Sequence, residues 1–167
     1  MTKHKVFISY YHKDDEEYKN KFEDLFGDIF INKSVEEGEI NSELNDEYIK
    51  RLIREKNISD SSVVVVLVGP HTYCRKHVDW EISAGLLKNT GLVGLALPSH
   101  SSYKKDTFNK NDVPQRLVDN IKTKYAFFSD WTTDKEEMKR IIEKAFKNRE
   151  KSEKDNSREQ MKLNRCS

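Results

Sequence analysis

The sequence has little of what identifies several large classes of protein. Only two of its 167 residues are cysteines, Cys74 and Cys166, which is too few for a disulfide framework, and their spacing fits no metal-binding pattern. No apolar run approaches the length that crosses a membrane, and no signal-peptide core follows the first residues. We therefore expect one cytoplasmic domain with reduced cysteines, no resident metal and no membrane partner.

The chain also lacks an excess of charge of either sign. It has 30 basic and 29 acidic residues, so its formal net charge is +1 even though 35% of its residues are charged. A near-neutral chain of this kind has no electrostatic footprint for nucleic acid. We expect a heavily charged surface and no nucleic-acid partner.

The most informative stretch of the chain spans residues 62–88. Six apolar residues, Val63 to Val68, stand in a row without alternation and end at Gly69 and Pro70, which predicts a strand buried on both faces. A polar loop follows, and a helical pattern then opens around Glu81. A buried strand followed by a helix is half of a parallel β-α-β unit, and ligands bind beyond the carboxyl ends of such strands.

The same strand-then-helix order recurs five times along the chain. It predicts an α/β, flavodoxin-like domain over residues 1–146, with a five-stranded parallel sheet ordered 2-1-3-4-5 and helices on both faces. We expect residues 147–167, which are almost all polar, to form a charged helix end or a disordered tail. The expected strands are 5–10, 29–31, 63–68, 92–97 and 125–128, and the expected helices begin near Asp14, Asp46, Val78, Pro114 and Thr133.

In this order, strands 1 and 3 are neighbours, and a crevice should open between their carboxyl ends. Aromatic side chains would wall it (Phe7, Tyr10, Tyr11 and Trp80), and one of the two tyrosines should face the crevice while the other points inward. Glu81 is the carboxylate that lies there between an aromatic and an aliphatic neighbour. Aromatic faces suit a nucleobase or nicotinamide ring, and a carboxylate can stabilise positive charge at C1 of a ribosyl ring.

Other proteins that share this fold need residues that are missing here. The third strand ends in Gly69 and Pro70 rather than the aspartate of a receiver domain, and Tyr10 and Tyr11 are too bulky for a flavodoxin phosphate loop. There is no P-loop, no GxGxxG motif and no GxSxG elbow. The function must therefore be argued from the crevice itself.

Two segments of the chain resemble a known family. Residues 5–10, with the sequence KVFISY, resemble the first strand of TIR domains. Residues 65–69, then Thr72, Arg75 and residues 78–82, with the sequence VDWEI, are similar to the bacterial TIR-like branch that includes the ThsB proteins of Thoeris anti-phage defence. The resemblance covers roughly residues 3–146.

This resemblance implies an enzyme that cleaves NAD at the nicotinamide–ribose bond, with Glu81 at the position of the family's catalytic glutamate. NAD would be a substrate, with no further cofactor. The product would be a cyclic or conjugated ADP-ribose that activates a downstream effector, and the protein would also self-associate. The expected substrate-binding residues are Phe7, Ser9, Tyr10, Tyr11, Arg75 and Trp80.

For four of these residues the sequence also allows an interpretation that needs no substrate. Glu81 would be an ordinary solvated acid in the first turn of a helix, and Ser9 would bind a phosphate or cap the following loop. Arg75 would pair with a pyrophosphate or simply sit in a surface loop. The spacing of Trp80 with the apolar residues that follow favours core packing.

Two other functions fit the same fold. The first is a non-catalytic TIR-type interaction module that assembles through its polar segments, residues 34–45 and 99–112. The second is an enzyme like the nucleoside deoxyribosyltransferases, in which Glu81 is the nucleophile and carries a covalent sugar. Loss of NAD turnover in a Glu81→Gln variant would favour the enzyme over the interaction module.

Overall fold

The chain forms a five-stranded parallel sheet with helices packed on both faces. The computed structural model describes residues 3–33 and 45–166. All strand pairs are parallel, and the order across the sheet is β2-β1-β3-β4-β5. The strands are β1 (Lys5–Ser9), β2 (Ile31–Lys33), β3 (Val63–Val68), β4 (Gly91–Ala96) and β5 (Ala126–Asp130). The predicted α/β fold with a parallel sheet is confirmed.

Five α-helices connect and flank these strands. They are α1 (His12–Phe26), α2 (Asp46–Leu52), α3 (Lys76–Leu87), α4 (Gln115–Lys122) and α5 (Lys135–Lys151). A π-helical turn (Ile53–Ile58) continues α2, and short 3-10 turns (Thr72–Cys74 and Lys110–Asp112) precede α3 and α4. At the start of α5, Asp134 rather than the expected Thr133 is the N-cap, and its side chain accepts from the backbone N–H of Glu136 and Glu137.

The central strand divides the core into two layers because its successive side chains point to opposite faces. Val64, Val66 and Val68 pack under α2, α3 and α4, whereas Val63, Val65 and Leu67 pack under α1 and α5. All six side chains are fully buried. This two-sided burial explains why the strand is apolar without alternation.

Strand β2 lies two residues later than the sequence predicts. The apolar residues Ile29 and Phe30 precede it, and their side chains pack against the core beside α1. The apolar run therefore marks a turn that packs inward, and pairing with β1 begins only at Ile31. The polar segment 34–45, one of the two contact segments expected for an interaction module, lies outside the described residues except for Asn45, the N-cap of α2.

The structure differs from the expectation of a charged helix end or disordered tail over residues 147–167. Helix α5 runs to Lys151, and the next residues fold back along the outer side of α3 and α4. We call this segment, residues 152–166, the strap. Its order comes from polar contacts, such as the backbone N–H of Met161 donating to Asp79 Oδ2 at 2.8 Å, which a hydrophobic pattern does not reveal.

The two cysteines are also not the reduced pair expected from the sequence. Cys74, which lies just before α3, is joined by a disulfide to Cys166 in the strap, with a Cα–Cα distance of 5.6 Å. That separation falls within the usual range of about 4.4 to 6.8 Å for bridged cysteines. A pair separated by 92 positions cannot be deduced from two isolated cysteines in a sequence.

Candidate functional site

The carboxyl ends of β1 and β3 lie side by side, and α1 and α3 begin at this edge of the sheet. A cavity of about 230 Å³ opens between them. Its walls are formed by Tyr10, Tyr11, His12, Arg75, His77, Val78 and Asn164. Parallel α/β sheets place their ligand sites at this kind of junction, so we take this cavity as the centre of the candidate site.

Glu81 lies in the second turn of α3 with its side chain directed into the protein toward β1. It is only 3% exposed, and its Oε1 accepts a hydrogen bond of 2.9 Å from Ser9 Oγ. It does not line the cavity itself. The cavity wall is formed by His77 and Val78, which lie one helical turn before Glu81 on the same face of α3.

The protein environment makes Glu81 an unusually weak acid. Burial removes water from its carboxylate and raises the pKa to about 8, while the hydrogen bond from Ser9 acts in the opposite direction. Burial is the larger cause, so the carboxyl group carries a proton at neutral pH in this structure. A buried acid with so raised a pKa beside a cleft is a recognised signature of a functional site.

Arg75 and Tyr11 form one unit on the cavity wall. The guanidinium carbon of Arg75 lies 3.9 Å from the centroid of the Tyr11 ring, and its NH2 group donates to the Tyr11 hydroxyl. Among the described residues, Arg75 Nε is buried without a hydrogen-bond partner. The guanidinium is thus held in place on the cavity wall, with one buried donor unpaired.

Both tyrosines after β1 contribute to the cavity wall, although the sequence pattern predicts that one of them points inward. Tyr10 is 3% exposed, its ring is stacked on His12 at 4.3 Å, and its hydroxyl donates to Glu16 at 2.6 Å. Tyr10 is therefore both a core residue and a cavity residue. Tyr11 is more exposed and carries the contact with Arg75.

The remaining expected site residues fall into two groups. Ser9 is fully buried and contacts Glu81 directly. Phe7 and Trp80 lie instead in the hydrophobic core beneath α3, away from the cavity wall. The Trp80 indole N–H donates to the Met161 carbonyl of the strap at 2.8 Å. The ring of Trp80 is thus packed in the core, and its polar group is already hydrogen-bonded within the protein.

Four cavity residues, His12, His77, Val78 and Asn164, are not among the substrate-binding residues expected from the sequence. The His77 ring lies 5.2 Å from the Trp80 ring. Burial, followed by the nearby charge of Lys76, lowers the pKa of His77 to about 4, which keeps the imidazole neutral. Asn164 comes from the strap, and no pattern in the sequence brings it to this place.

Larger cavities lie elsewhere in the described part of the chain. One, of about 690 Å³, follows β5 and is lined by exposed lysines and by Phe127 and Phe128. A second, of about 660 Å³, lies between the end of α1 and helix α5, and a third, of about 530 Å³, is lined by strap residues 158–163 and 165. None of the three is lined by a buried acid, so size alone does not mark the functional site.

Within residues 3–33 and 45–166, no group of three or more His, Cys, Asp or Glu side chains is arranged to hold a metal ion. In the same part of the chain, no helix is both long and apolar enough to cross a membrane.

The sequence model of the family described as "Thoeris protein ThsB, TIR-like domain" matches residues 7–102. The chain belongs to this ThsB TIR-like family. The matched region includes Ser9, Arg75 and Glu81, whereas the strap lies outside it. The resemblance noted in the sequence is thereby confirmed at the level of the family.

Solved structures are also similar to this ThsB family member. One is described as the activated Roq1 resistosome directly recognizing the pathogen effector XopQ (TIR domains); the alignment has a TM-score of 0.43 and 13% sequence identity and covers 88% of this chain and 84% of that chain. The comparison with curated proteins returned no match.

Proposed function

We propose that this protein cleaves NAD at the nicotinamide–ribose bond and converts the ADP-ribosyl group into a cyclic or conjugated signal. The observation that carries the proposal is the buried Glu81, hydrogen-bonded to Ser9 and one helical turn from a cavity at the carboxyl ends of β1 and β3. Membership of the ThsB TIR-like family supports the choice of NAD.

The chemical step needs charge stabilisation more than proton transfer. The C1′–N1 bond breaks, its electron pair leaves with neutral nicotinamide, and the positive charge passes to the ribosyl ring. A carboxylate beside that ring stabilises the oxocarbenium-like transition state. Adenine of the same molecule or an added small molecule then donates an electron pair to C1′, and the proton that this nucleophile loses passes to solvent.

Glu81 must be ionised for this role, although its pKa in the present structure is about 8. The nicotinamide ring of NAD is cationic, and an adjacent positive charge favours the ionised form of an acid. Substrate binding would therefore lower the pKa of Glu81, so that its negative charge develops where the reaction needs it. Ser9 would continue to donate to that carboxylate.

The cavity wall offers partners for the rest of the substrate. Arg75, which lines the cavity with its guanidinium packed on Tyr11, would bind the pyrophosphate through charge-assisted hydrogen bonds. Tyr10 and Tyr11 would present their rings to a base. Trp80 would act indirectly by fixing α3, since its indole ring is packed in the core.

The test is NAD turnover by the full-length chain, with products identified by mass spectrometry. We expect Glu81→Gln to lower turnover about 100- to 1,000-fold, because it removes the stabilising charge while keeping the size of the side chain. Glu17→Gln is the matched control, since the Glu17 side chain is 70% exposed on α1. Unchanged turnover in Glu81→Gln would remove this residue from the mechanism.

The interaction module remains the alternative function. Of its two expected contact segments, residues 99–112 are held in place by His100, whose ring bonds to Ser102 and to the Asp112 carbonyl. Such a fixed loop suits recognition of a second protein. Self-association without NAD consumption, abolished by changes in residues 103–110 but not by Glu81→Gln, would favour this alternative.

A further inference from the structure

The strap runs along α3, from the end of that helix to its beginning. Near the end of α3, Lys154 Nζ donates to the Leu86 carbonyl at 2.6 Å. In the middle, the Met161 backbone lies between Asp79 and Trp80. At the beginning of α3, Asn164 Oδ1 accepts from the backbone N–H of Lys76 at 3.0 Å. The helix that carries Glu81 is therefore covered on its outer side by the strap.

The far end of the strap is also a wall of the candidate site. Asn164 lines the cavity together with Arg75 and Tyr11, and the backbone N–H of Arg165 donates to the Cys74 carbonyl at 2.9 Å. Cys166 then closes the disulfide with Cys74. The disulfide is attached one residue before Arg75, so it holds the end of the strap beside the arginine that we propose binds the pyrophosphate.

With this wall in place, the cavity is too small for a dinucleotide. Its volume is about 230 Å³, whereas sites for small molecules usually measure about 300 to 1,000 Å³. The other wall residues lie at the junction of β1 with α1 and at the beginning of α3. Asn164 is the wall residue that the strap contributes; it is exposed, and Leu163 just before it is 76% exposed.

We propose that the Cys74–Cys166 disulfide is a redox latch that holds the end of the strap across the cavity, so that reduction admits the substrate and oxidation excludes it. This inference rests on the proposed function, because it names the regulation of that same site. The strap from Lys154 to Met161 stays docked in both states through its polar contacts with Asp79 and Ser83 of α3 and with Asn120 of α4.

The opening step is a thiol–disulfide exchange with a dithiol reductant. Its first thiolate attacks Cys166 Sγ, which is the accessible sulfur because Cys74 is fully buried. The S–S bond breaks, Cys74 leaves as a thiolate and takes up a proton, and a mixed disulfide forms on Cys166. The second thiol of the reductant then releases Cys166 as a thiol. The reductant ends as a cyclic disulfide, having given up two electrons and two protons.

Reduction should loosen residues 164–166 because the disulfide supplies most of their attachment. A crosslink between positions 92 residues apart keeps the two chain segments at a high local concentration. Without it, two hydrogen bonds remain, those of Asn164 and Arg165. Two exposed or half-exposed hydrogen bonds give little stability against local opening.

The experiment compares the oxidised full-length chain with the same protein in dithiothreitol, after thiol alkylation and mass spectrometry have verified each state. Two measurements need no NAD: the rate at which phenylglyoxal modifies Arg75, and hydrogen exchange of the Lys76 amide. We expect both to be at least about fivefold faster in the reduced protein. Cys166→Ser is the matched variant and should be fast with or without dithiothreitol. Asn164→Ala should speed modification while the disulfide is intact.

NAD turnover is then measured on the same samples and should rise at least about tenfold on reduction. Equal rates of Arg75 modification in the oxidised and reduced wild type would overturn the latch, as would alkylation of both cysteines without prior reduction. Redox-dependent modification of Arg75 with no turnover in either state would support the latch and overturn the proposed NAD chemistry. If Cys166→Ser fails to fold, the two states of the wild type still decide the question.

Discussion

Asp79 and Glu81 are two buried acids only two residues apart on the same helix, yet their surroundings are opposite. The carboxylate of Asp79, 5% exposed, accepts from Arg116 at 2.9 and 3.3 Å and from the Met161 backbone at 2.8 Å. Among the residues that the structure describes, Glu81, 3% exposed, accepts one hydrogen bond, from Ser9, and no cation lies beside it. The Asp79 carboxylate thus accepts three hydrogen bonds, two of them from a buried arginine, whereas the Glu81 carboxyl group accepts one from a serine.

The difference separates a structural acid from a candidate functional one. A buried charge with a full set of partners fixes the geometry around it, and here it docks the strap and α4 on α3. A buried acid with a single partner is costly to ionise, and that cost is repaid only when a positively charged group arrives. Neither burial nor position on α3 distinguishes the two acids; the groups that surround each carboxyl group do.

The largest effect on the free energy of unfolding should come from a change at Asp79. Asp79→Asn leaves Arg116, which is fully buried, without a counter-charge. Breaking one side of such a pair typically costs about 3 to 5 kcal/mol, and we expect a loss of this size in the free energy of unfolding, measured by urea denaturation. Asp119→Asn is the matched control, because Asp119 pairs with the half-exposed Arg158 of the strap and should cost about 1 kcal/mol or less. Equal losses in the two variants would contradict the comparison.

A second effect, of intermediate size, should appear in the pH dependence of stability. The folded pKa of Glu81, about 8, lies above its ordinary value of 4.5. Between these values the folded state binds more protons than the unfolded state, so the free energy of unfolding falls as pH rises. Glu81→Gln does not titrate, and we expect it to gain on the order of 2 to 4 kcal/mol over the wild type between pH 4.5 and 8.

Denaturation of both proteins at a series of pH values checks this expectation. Every other titrating group, including Asp15, whose pKa burial raises to about 6, contributes to both proteins and cancels in the difference. The difference should stop growing above pH 8. A difference that stays constant from pH 4.5 to 8 would show that Glu81 titrates normally and is not isolated from water.

The smallest effect should come from the one partner of Glu81. Ser9→Ala removes a hydrogen bond that lowers the pKa of Glu81, so that pKa should rise further and the pH profile of kcat/KM should move to higher pH. We expect kcat/KM at neutral pH to fall about tenfold, the size of a lost hydrogen bond to a charged group. Ser83→Ala serves as the control, since the Ser83 hydroxyl, also buried on α3, accepts from Gln160 of the strap rather than donating to Glu81. A lower kcat/KM with an unshifted pH profile would make Ser9 a packing residue.

The sequence alone predicts the parts of the molecule that follow from hydrophobic patterning. The run from Val63 to Val68 identifies the central strand because both of its faces are covered. The helical pattern after it places Glu81 at the right edge of the sheet, beside Ser9. Both predictions depend on contacts between apolar residues, whose spacing is visible in one dimension.

Other features of the site depend on polar contacts between distant segments, which leave no periodic signal. The strap docks through amides, carboxylates and backbone groups, so its composition is the same as that of a disordered tail. The pairing of Cys74 with Cys166 and the arrival of Asn164 at the cavity follow from this docking. Phe7 looks like a crevice residue because sequence position gives the strand end but not the direction of the side chain, whereas the helical spacing of Trp80 already favours the core position that it occupies.

The hydrogen bond between the Trp80 indole and the Met161 carbonyl makes the fluorescence of Trp80 a reporter of the position of the strap. The chain has two tryptophans, and the other, Trp131, is buried against α1 and α5. A Trp131→Phe background therefore leaves a single indole whose N–H touches the strap. If the strap lifts as far as Met161, that N–H meets water and the fluorescence emission moves to longer wavelength. If only residues 164–166 move, the emission stays where it is.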